Sequence, residues 1–356
     1  MNVRAGIPLR PDPDAIAERN LSSLVRACLA ISQRAVDPTS RPSPSDYARK
    51  TWSGDRSVDL VLRAASSPAM TTQAGWAQEL APVTKQFLDL LVGVSAGAAL
   101  LNRGIQVGLD GVASVSFPSM STAQVGFTGQ GKPIPVANLQ SGAGVSLAPH
   151  AFKIIVTLTS EMLGASNAEV IFRTALLESA ALSLDAALFS PNAATADAPA
   201  GLLNGVSATT PSTQTIPSEA MFEDLSKLGG AVARVAGNST VFVAAPEQAI
   251  VIKLLAAPQF DATVLSSSAL PAKTVIAIAP AALVSGYAPA PEIDASREAT
   301  LHWDTAPAEI VGSGGVIASP VGSLFQSDKI GLRLHMPLAW VLRATNAIAY
   351  MNAVAW

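Results

Sequence analysis

FTGQGKPIPV at 127–136, LAPHAFKIIVTLTSEML at 147–163 and SNAEVIFRTALLESAALSLDAALF at 166–189 decide how this chain folds, because each obeys a different rule. In the first stretch Gly129 and Gly131 permit φ > 0, and Pro133 and Pro135 keep the following chain extended. Proline also denies a ladder its donor, so this loop and the strands beside it belong at a sheet edge or off any sheet. The second stretch is β-rich. The third opens on Ser166 and Glu169, an S-x-x-E capping box in which each side chain satisfies an orphan backbone donor. Val170, Ile171, Ala175, Leu177, Ala181, Leu184 and Leu188 then form a broad apolar stripe. A helix over 166–189 spans about 36 Å at 1.5 Å per residue, and Pro191 ends it. None of the three stretches carries a catalytic constellation.

Working outward, residues 111–118 and 123–129 read as the two strands of an extended hairpin. A polar two-stranded ribbon is marginal by itself and needs a partner surface. Upstream, TKQFLDLLVGVSAGAALLNRG from Thr84 reads as a helix passing into a turn region. Nearer the N-terminus Leu21, Leu24, Val25, Cys28 and Leu29 recur at helical spacing, and 36–46 is a Pro/Ser linker. A second short helix is expected over 47–65, with Trp52, Val58, Val61 and Leu62 on its apolar side. A helical arm of this size buries little surface alone. It must dock on the main body, dock on a neighbour, or be removed.

Downstream of Pro191 the rhythm changes. Residues 218–235 read as a helix, STVFVAAP at 239–246 as a buried strand, 247–256 as a helix and KTVIAIAP at 273–280 as a second buried strand. This alternation describes a compact α/β unit. From 315 to 351 strands return, with VGSLFQSDKIGLRLHMPLAWVLR alternating apolar and polar residues. Nothing repeats at a fixed period, which excludes a solenoid.

Composition narrows the function. Hydrophobic residues make up 49% of the 356 and charged residues only 14%, against about 25% charged in an ordinary soluble domain. A surface so poor in charge fits one covered by other subunits; a plain Ala-rich sequence has the same composition. A net charge of −3 and a pI near 5.7 argue against a dedicated nucleic-acid reader, which shows a basic face, and stay compatible with weak contact to DNA. Cys28 is the single cysteine, so no intramolecular disulfide and no cysteine-built metal site is expected. No run of about 18 apolar residues marks a membrane span, and MNVRAGIPLRPDPD lacks the apolar stretch of a secretory signal. Folding in a cytoplasm, without a cofactor, is the expectation.

The order of these parts resembles the major capsid protein of tailed bacteriophages with the Hong Kong 97 (HK-97-like) fold. The likeness runs from about Trp76 to the C-terminus. The 127–136 stretch resembles the aromatic-x-Gly-Glu-Gly-x-x-x-Pro end of the family's extended loop, with Phe127 where Trp is common and Gln130 where Glu is common. The 147–163 stretch resembles the strand leading into the family's spine helix, and PAGLLNG at 199–205 the turn after it. SREATLHWD at 296–304 and SLFQSDKIGLRLHMPLAWVLR at 323–343 resemble the segments that close the fold.

The resemblance implies an α+β fold with an N-terminal arm, an extended β-hairpin loop, a peripheral domain built on a spine helix, and an α/β axial domain. By it, residues 1–80 form the arm or scaffold-like segment. Residues 81–104, 147–192 and 323–356 form the peripheral domain, 105–144 the extended loop, and 199–320 the axial domain. Phe127, Gln130, Lys132, Pro133 and Pro135 are the implied loop contacts to a neighbouring subunit. Ser166, Glu169, Val170, Leu177 and Leu184 mark the spine helix. The implied function is self-assembly, through pentamers and hexamers, into an icosahedral shell around double-stranded DNA of a phage, prophage or gene-transfer particle. Implied partners are further copies of the chain, with a portal, a scaffold and a maturation protease, and non-specific contact with packaged DNA. An encapsulin-like compartment shell is the alternative of the same fold. Some family members cross-link a loop lysine to an asparagine of a neighbour, for which Lys132 and Asn346 are the candidates here.

Sharper chemical readings compete with a structural role. Gly93, Ser95 and Gly97 match the G-x-S-x-G nucleophile elbow of a Ser hydrolase, with Asp294 and His302, or Asp328 and His335, in the required chain order. The residues before Ser95 are helical in pattern, where the elbow needs a strand, so Ser95 reads as small packing in a turn. His150, His302 and His335 lack the spacing of a zinc site, and His150 after Pro149 reads as a polar cap on a strand. Gly312, Gly314 and Gly315 lack the following Lys-Ser/Thr of a phosphate loop and read as a flexible turn.

Overall fold

The two apolar runs VFVA and VIAI, flanked by turn residues, become the central strands of a sheet. The computed structural model describes residues 13–36, 42–53, 55–65, 91–109, 114–117, 144–164, 168–237, 239–256, 260–287, 292–304, 308–312, 315–316, 319–344 and 346–356. The chain divides into two compact units. One comprises Met1–Leu90, Lys153–Leu177 and Ala290–His335; the other comprises Leu91–Phe152, Glu178–Pro289 and Met336–Trp356. Among the described residues no helix is long and apolar enough to cross a membrane.

In the first unit, three helices are α1 (Pro13–Val36), α2 (Pro44–Thr51) and α3 (Arg56–Ala65). The single helix expected over 47–65 is two. Trp52 is the C-cap of α2, and the Asp55 carboxylate accepts from the Ser57 amide at 3.2 Å, starting a new helix. An aspartate in that position competes with helix continuation and favours a cap. The start of α2 follows the same logic, with Ser43 accepting from the Asp46 amide at 3.2 Å and Pro44 in the first turn.

Strands β1 (Ile105–Gly108), β2 (Val115–Phe117), β3 (Val145–Leu147) and β4 (His150–Thr159) lead to the short helix α5 (Ser160–Gly164), which follows α4 (Ala96–Arg103) in the chain. His150 opens β4, as its reading as a strand cap expected. Val115–Phe117 pairs antiparallel with Val145–Leu147; 123–129, expected as the other strand of its hairpin, lies outside the described residues. Ile105–Gly108, assigned to the loop by the resemblance, pairs in parallel with β8 (Leu283–Tyr287). The residues AGAALLNR, within the stretch expected to pass from helix into a turn region, form α4, whose side chains from Ala96 to Leu101 are buried.

Helix α6 (Ala168–Leu188) is the expected long helix, 21 residues or about 31 Å. Ser166 and the side chain of Glu169 lie outside the described residues. The buried positions are Leu176, Ala180, Ala181, Leu184, Asp185 and Leu188, with Leu177 half-buried and Val170 65% exposed. The stripe therefore runs through Leu176 and Ala180 where Ala175 and Leu177 were expected.

The second unit holds the α/β core. Helix α7 (Pro217–Ala236) precedes β5 (Val241–Ala244), α8 (Pro246–Ala256), β6 (Thr263–Ser266), β7 (Val275–Ile278) and, at the C-terminus, β15 (Ile348–Met351). The sheet order is β15-β7-β5-β6. Met221, Leu225, Leu228 and Val232 of α7 recur every three or four residues and pack with Ile252 of α8 against Phe242, Val275, Ala277 and Ala349. Every residue of β5 and β7 is buried, so this sheet is covered on both faces, which explains why both strands are apolar without alternation. β6 reads TVLS, too short and polar to stand out, while β15, a strand within the expected 315–351 stretch and grouped with the peripheral segment 323–356 by the resemblance, joins β7 in antiparallel register.

The remaining strands are β9 (Glu292–Ser296), β10 (Thr300–His302), β11 (Val311–Gly312), β12 (Gly315–Val316), β13 (Val321–Ser323) and β14 (Lys329–Leu342). Gly331 to His335 pairs with β9, and Leu338 to Leu342 pairs with β8, both antiparallel. Residues 296–304, placed in the axial segment by the resemblance, thus lie in the first unit with β9 and β10.

Candidate functional site

Among the described residues, the sequence candidate Ser95 is buried. It is the N-cap of α4: its Oγ accepts from the Ala98 amide at 2.9 Å. The same hydroxyl donates to Oδ1 of Asp185, 2.5 Å away, and the Gly97 and Ala96 amides donate to that carboxylate at 2.8 and 3.3 Å. Ser267 Oγ donates to Oδ2 at 2.6 Å. Asp185 is 4% exposed. Its four donors are all neutral, and the α4 N-terminus adds the positive end of its dipole.

Gly97 is required here. A Cβ on it would stand 2.8 Å from Asp185 Oδ1 and 2.9 Å from Leu188 Cδ2. Both the serine and the second glycine of the G-x-S-x-G match are therefore explained by packing around a carboxylate. The proposed acids and bases have partners of their own. Asp294 pairs with Arg333 at 2.6 Å, and Asp328 pairs with Arg297 at 2.7 Å while accepting from Ser160 Oγ at 2.8 Å. His302 accepts at Nδ1 from the Ala308 amide, 2.9 Å, and its Nε2 lies 3.2 Å from the Ser319 carbonyl.

The turn after the long helix is built by the same close approach. A Cβ on Gly201 would stand 2.0 Å from the Ser190 carbonyl oxygen, so only glycine fits. That approach lets the Leu202 amide reach the Leu188 carbonyl at 2.7 Å and cap the helix end. Trp340 Nε1 donates to the Ala200 carbonyl at 2.9 Å and pins the turn. Beside it lies a groove of about 810 Å³ lined by Leu147, His150, Leu202, Asn204, Trp340 and Ile348.

The C-terminus is sealed in the α/β core. Trp356 Nε1 donates to buried Asp224 at 2.9 Å, which also accepts from the Ser212 amide at 2.6 Å. Gln248 donates to the Trp356 carbonyl and accepts from the Lys273 amide. Sequence reading missed Asp185 and Asp224. The available signal was a charge placed on the apolar stripe of each helix.

The outside of this core mixes charged and apolar side chains, with Glu247 and Lys253 of α8 exposed. Helix α8 buries Ala249, Ile252 and Ala256, yet Ile250, Leu254 and Leu255 are 58%, 74% and 47% exposed on its other side. Phe222 of α7 is half exposed as well. Of the residues expected to meet a neighbour, Phe127, Gln130, Lys132, Pro133 and Pro135 lie outside the described residues. Asn346 is exposed, and the Lys132 to Asn346 pairing has one member outside them.

No family model matches the sequence. The chain is 27% identical over 333 residues to the capsid polyprotein of Pseudomonas phage PAJU2, an alignment covering 83% of this chain and 48% of that protein, so the chain spans about half the length of this curated relative. Among solved structures, the satellite phage P4 procapsid including the size determination (Sid) protein aligns with a TM-score of 0.47 at 10% identity, over 81% of this chain and 94% of that one. A chain from Microbacterium phage Oxtober96 aligns with a TM-score of 0.47 at 14% identity, over 83% and 98%. The chain is thus similar to a phage capsid polyprotein, and its long helix, capped PAGLLNG turn and α/β core follow in the order that the resemblance to tailed-phage major capsid proteins implied.

Proposed function

We propose that the chain is the structural subunit of an icosahedral shell enclosing double-stranded DNA, assembling through pentamers and hexamers of itself and catalysing no reaction. The observation that carries this is the outer side of α8. Apolar side chains clustered at the surface mark an interaction site, and Ile250, Leu254 and Leu255 stand exposed on α8 beside Glu247 and Lys253. Fully burying each such side chain is worth about 1.5–3 kcal/mol, so further copies of the chain have a driving force to cover them. The relationship to a phage capsid polyprotein supports the same reading.

In this reading the α/β core with α7 and α8 is the axial domain, the α6 helix the spine of the peripheral domain, and residues 105–144 the loop that reaches a neighbour through Phe127, Gln130, Lys132, Pro133 and Pro135. The shell is the capsid of a virion assembled in a bacterial cytoplasm, with portal, scaffold and maturation protease as partners. A net charge of −3 suits a wall that holds DNA by weak phosphate contacts without reading sequence.

Electron microscopy of the purified chain tests the proposal, with closed shells expected. Nucleic acid inside separates a capsid from a compartment shell around a protein cargo. Leu254→Asp is expected to change folding stability by less than about 0.5 kcal/mol, as exposed positions do, while abolishing shells. Wild-type protein that stays monomeric at high concentration, or a variant that assembles normally, overturns the reading.

A further inference from the structure

In helix α1, Leu21, Leu24, Val25, Cys28 and Leu29 were expected to recur at helical spacing. The structure buries two of its sides. Val25, Cys28, Leu29 and Ser32 lie along one side, and Ser23, Ala27 and Ala30 along the opposite side, all below 9% exposed; at 3.6 residues per turn the two sets are about half a turn apart. The first three helices pack on one another, and α1 also packs on β9 and α5, with α3 joining it on β9. A surface arm buries one stripe. A helix buried on opposite sides is the middle of a layer.

The join is polar as well as apolar. Arg26 donates to the Asp55 carboxylate at 2.9 Å, with side-chain exposures of 27% and 14%. Ser23 Oγ donates to the same carboxylate at 3.3 Å and lies 2.6 Å from Ser57 Oγ, while Ser57 Oγ also bonds to Asp55. Arg26 further sits 5.8 Å from the centre of the Trp52 ring, within reach of a cation–π contact. Asp55 thus ties α1 to the start of α3 at the place where the small side of α1 needs a close neighbour. Cys28 lies on the opposite side, and burial pushes its thiol up to about 12, so it is inert packing.

We infer that the three-helix N-terminal arm is a permanent layer of the folded subunit, clasped at Asp55, rather than a scaffold shed once the shell has formed. Removing it strips α1 from β9 and α5 and uncovers the apolar side chains those elements now share with it. The inference rests on the shell reading only for its first test. Intact mass of subunits from purified particles is expected to include the arm; particles of unchanged stability whose subunits begin after Ala65 overturn it. The second test uses the free full-length chain and stands even if no shell forms. Limited trypsin digestion is expected to cut at Arg26 only as fast as the body itself unfolds. In Asp55→Ala, cutting there is expected about tenfold faster, the change that follows from losing roughly one net charged hydrogen bond. Rapid loss of the arm from the wild type, leaving a body with the same melting temperature, overturns the inference whatever the particles do.

Discussion

Asp185 and Asp55 occupy matching niches. Each receives two serine hydroxyls and at least one amide from the opening of a helix, α4 for Asp185 and α3 for Asp55. They differ in what else is present. Asp185 is 4% exposed among neutral donors only, and its carboxylate comes from a different helix, 90 residues from Ser95. Asp55 caps its own helix, keeps a 14% exposed side chain and adds the Arg26 guanidinium. The contrast teaches that how deeply the partners are buried, more than the presence of a charge pair, sets what a buried carboxylate is worth. Without Asp185 the Ser267 hydroxyl and the Gly97 amide lose their acceptor away from water. Without Asp55 the freed groups reach solvent more readily.

The comparison breaks first at Asp185. Asp185→Ala is expected to lose about 1–3 kcal/mol of stability for each buried donor left without an acceptor, Ser267 Oγ and the Gly97 amide among them; denaturant unfolding measures it, and a loss below about 1 kcal/mol refutes the account. Ser95→Ala comes next, at about 1–2 kcal/mol for a lost N-cap that also donates to a carboxylate. This variant carries a second readout: if Ser95 is structural, any trace of ester hydrolysis in the preparation is unchanged by it. A drop in hydrolysis with stability intact revives the hydrolase reading.

The smallest effect is acid sensitivity at Asp55. Burial raises the carboxyl's affinity for a proton, but hydrogen bonds from Ser57, Arg26 and Ser23 outweigh it and hold the carboxyl below its usual range. With the folded-state value depressed, the stabilisation is complete above the unfolded-state value near 4 and is lost as pH falls through the folded-state value. At this partly solvated site about 1 kcal/mol or less is expected. The difference in tryptophan fluorescence between the wild type and Trp52→Phe across pH 2–5 follows the arm, and an identical profile in an Asp55→Asn background refutes the assignment.

What was legible follows from how local each feature is. The α7 rhythm of Met221, Leu225, Leu228 and Val232, and the runs VFVA and VIAI, announce their elements because helix and strand periods are written in neighbouring residues. The break of one expected helix into α2 and α3 was within reach, since Trp52-Ser53-Gly54-Asp55 is a stop followed by a cap. For Asp185 only a charge on an apolar stripe was visible, because its partners are not local and nothing nearby declares them.

By itself the amino-acid sequence determined the helical and strand segments, the charge-poor composition and the order of parts that resembles a capsid subunit. Tertiary structure alone decided that Asp185 would join residues 90 and 82 positions away, that β15 would enter the sheet beside β7, and that α1 would be covered on two sides. The physical reason is range. Periodicity is set by backbone geometry within a few residues, whereas the partners of a buried polar group are chosen only when distant segments close around it and exclude water.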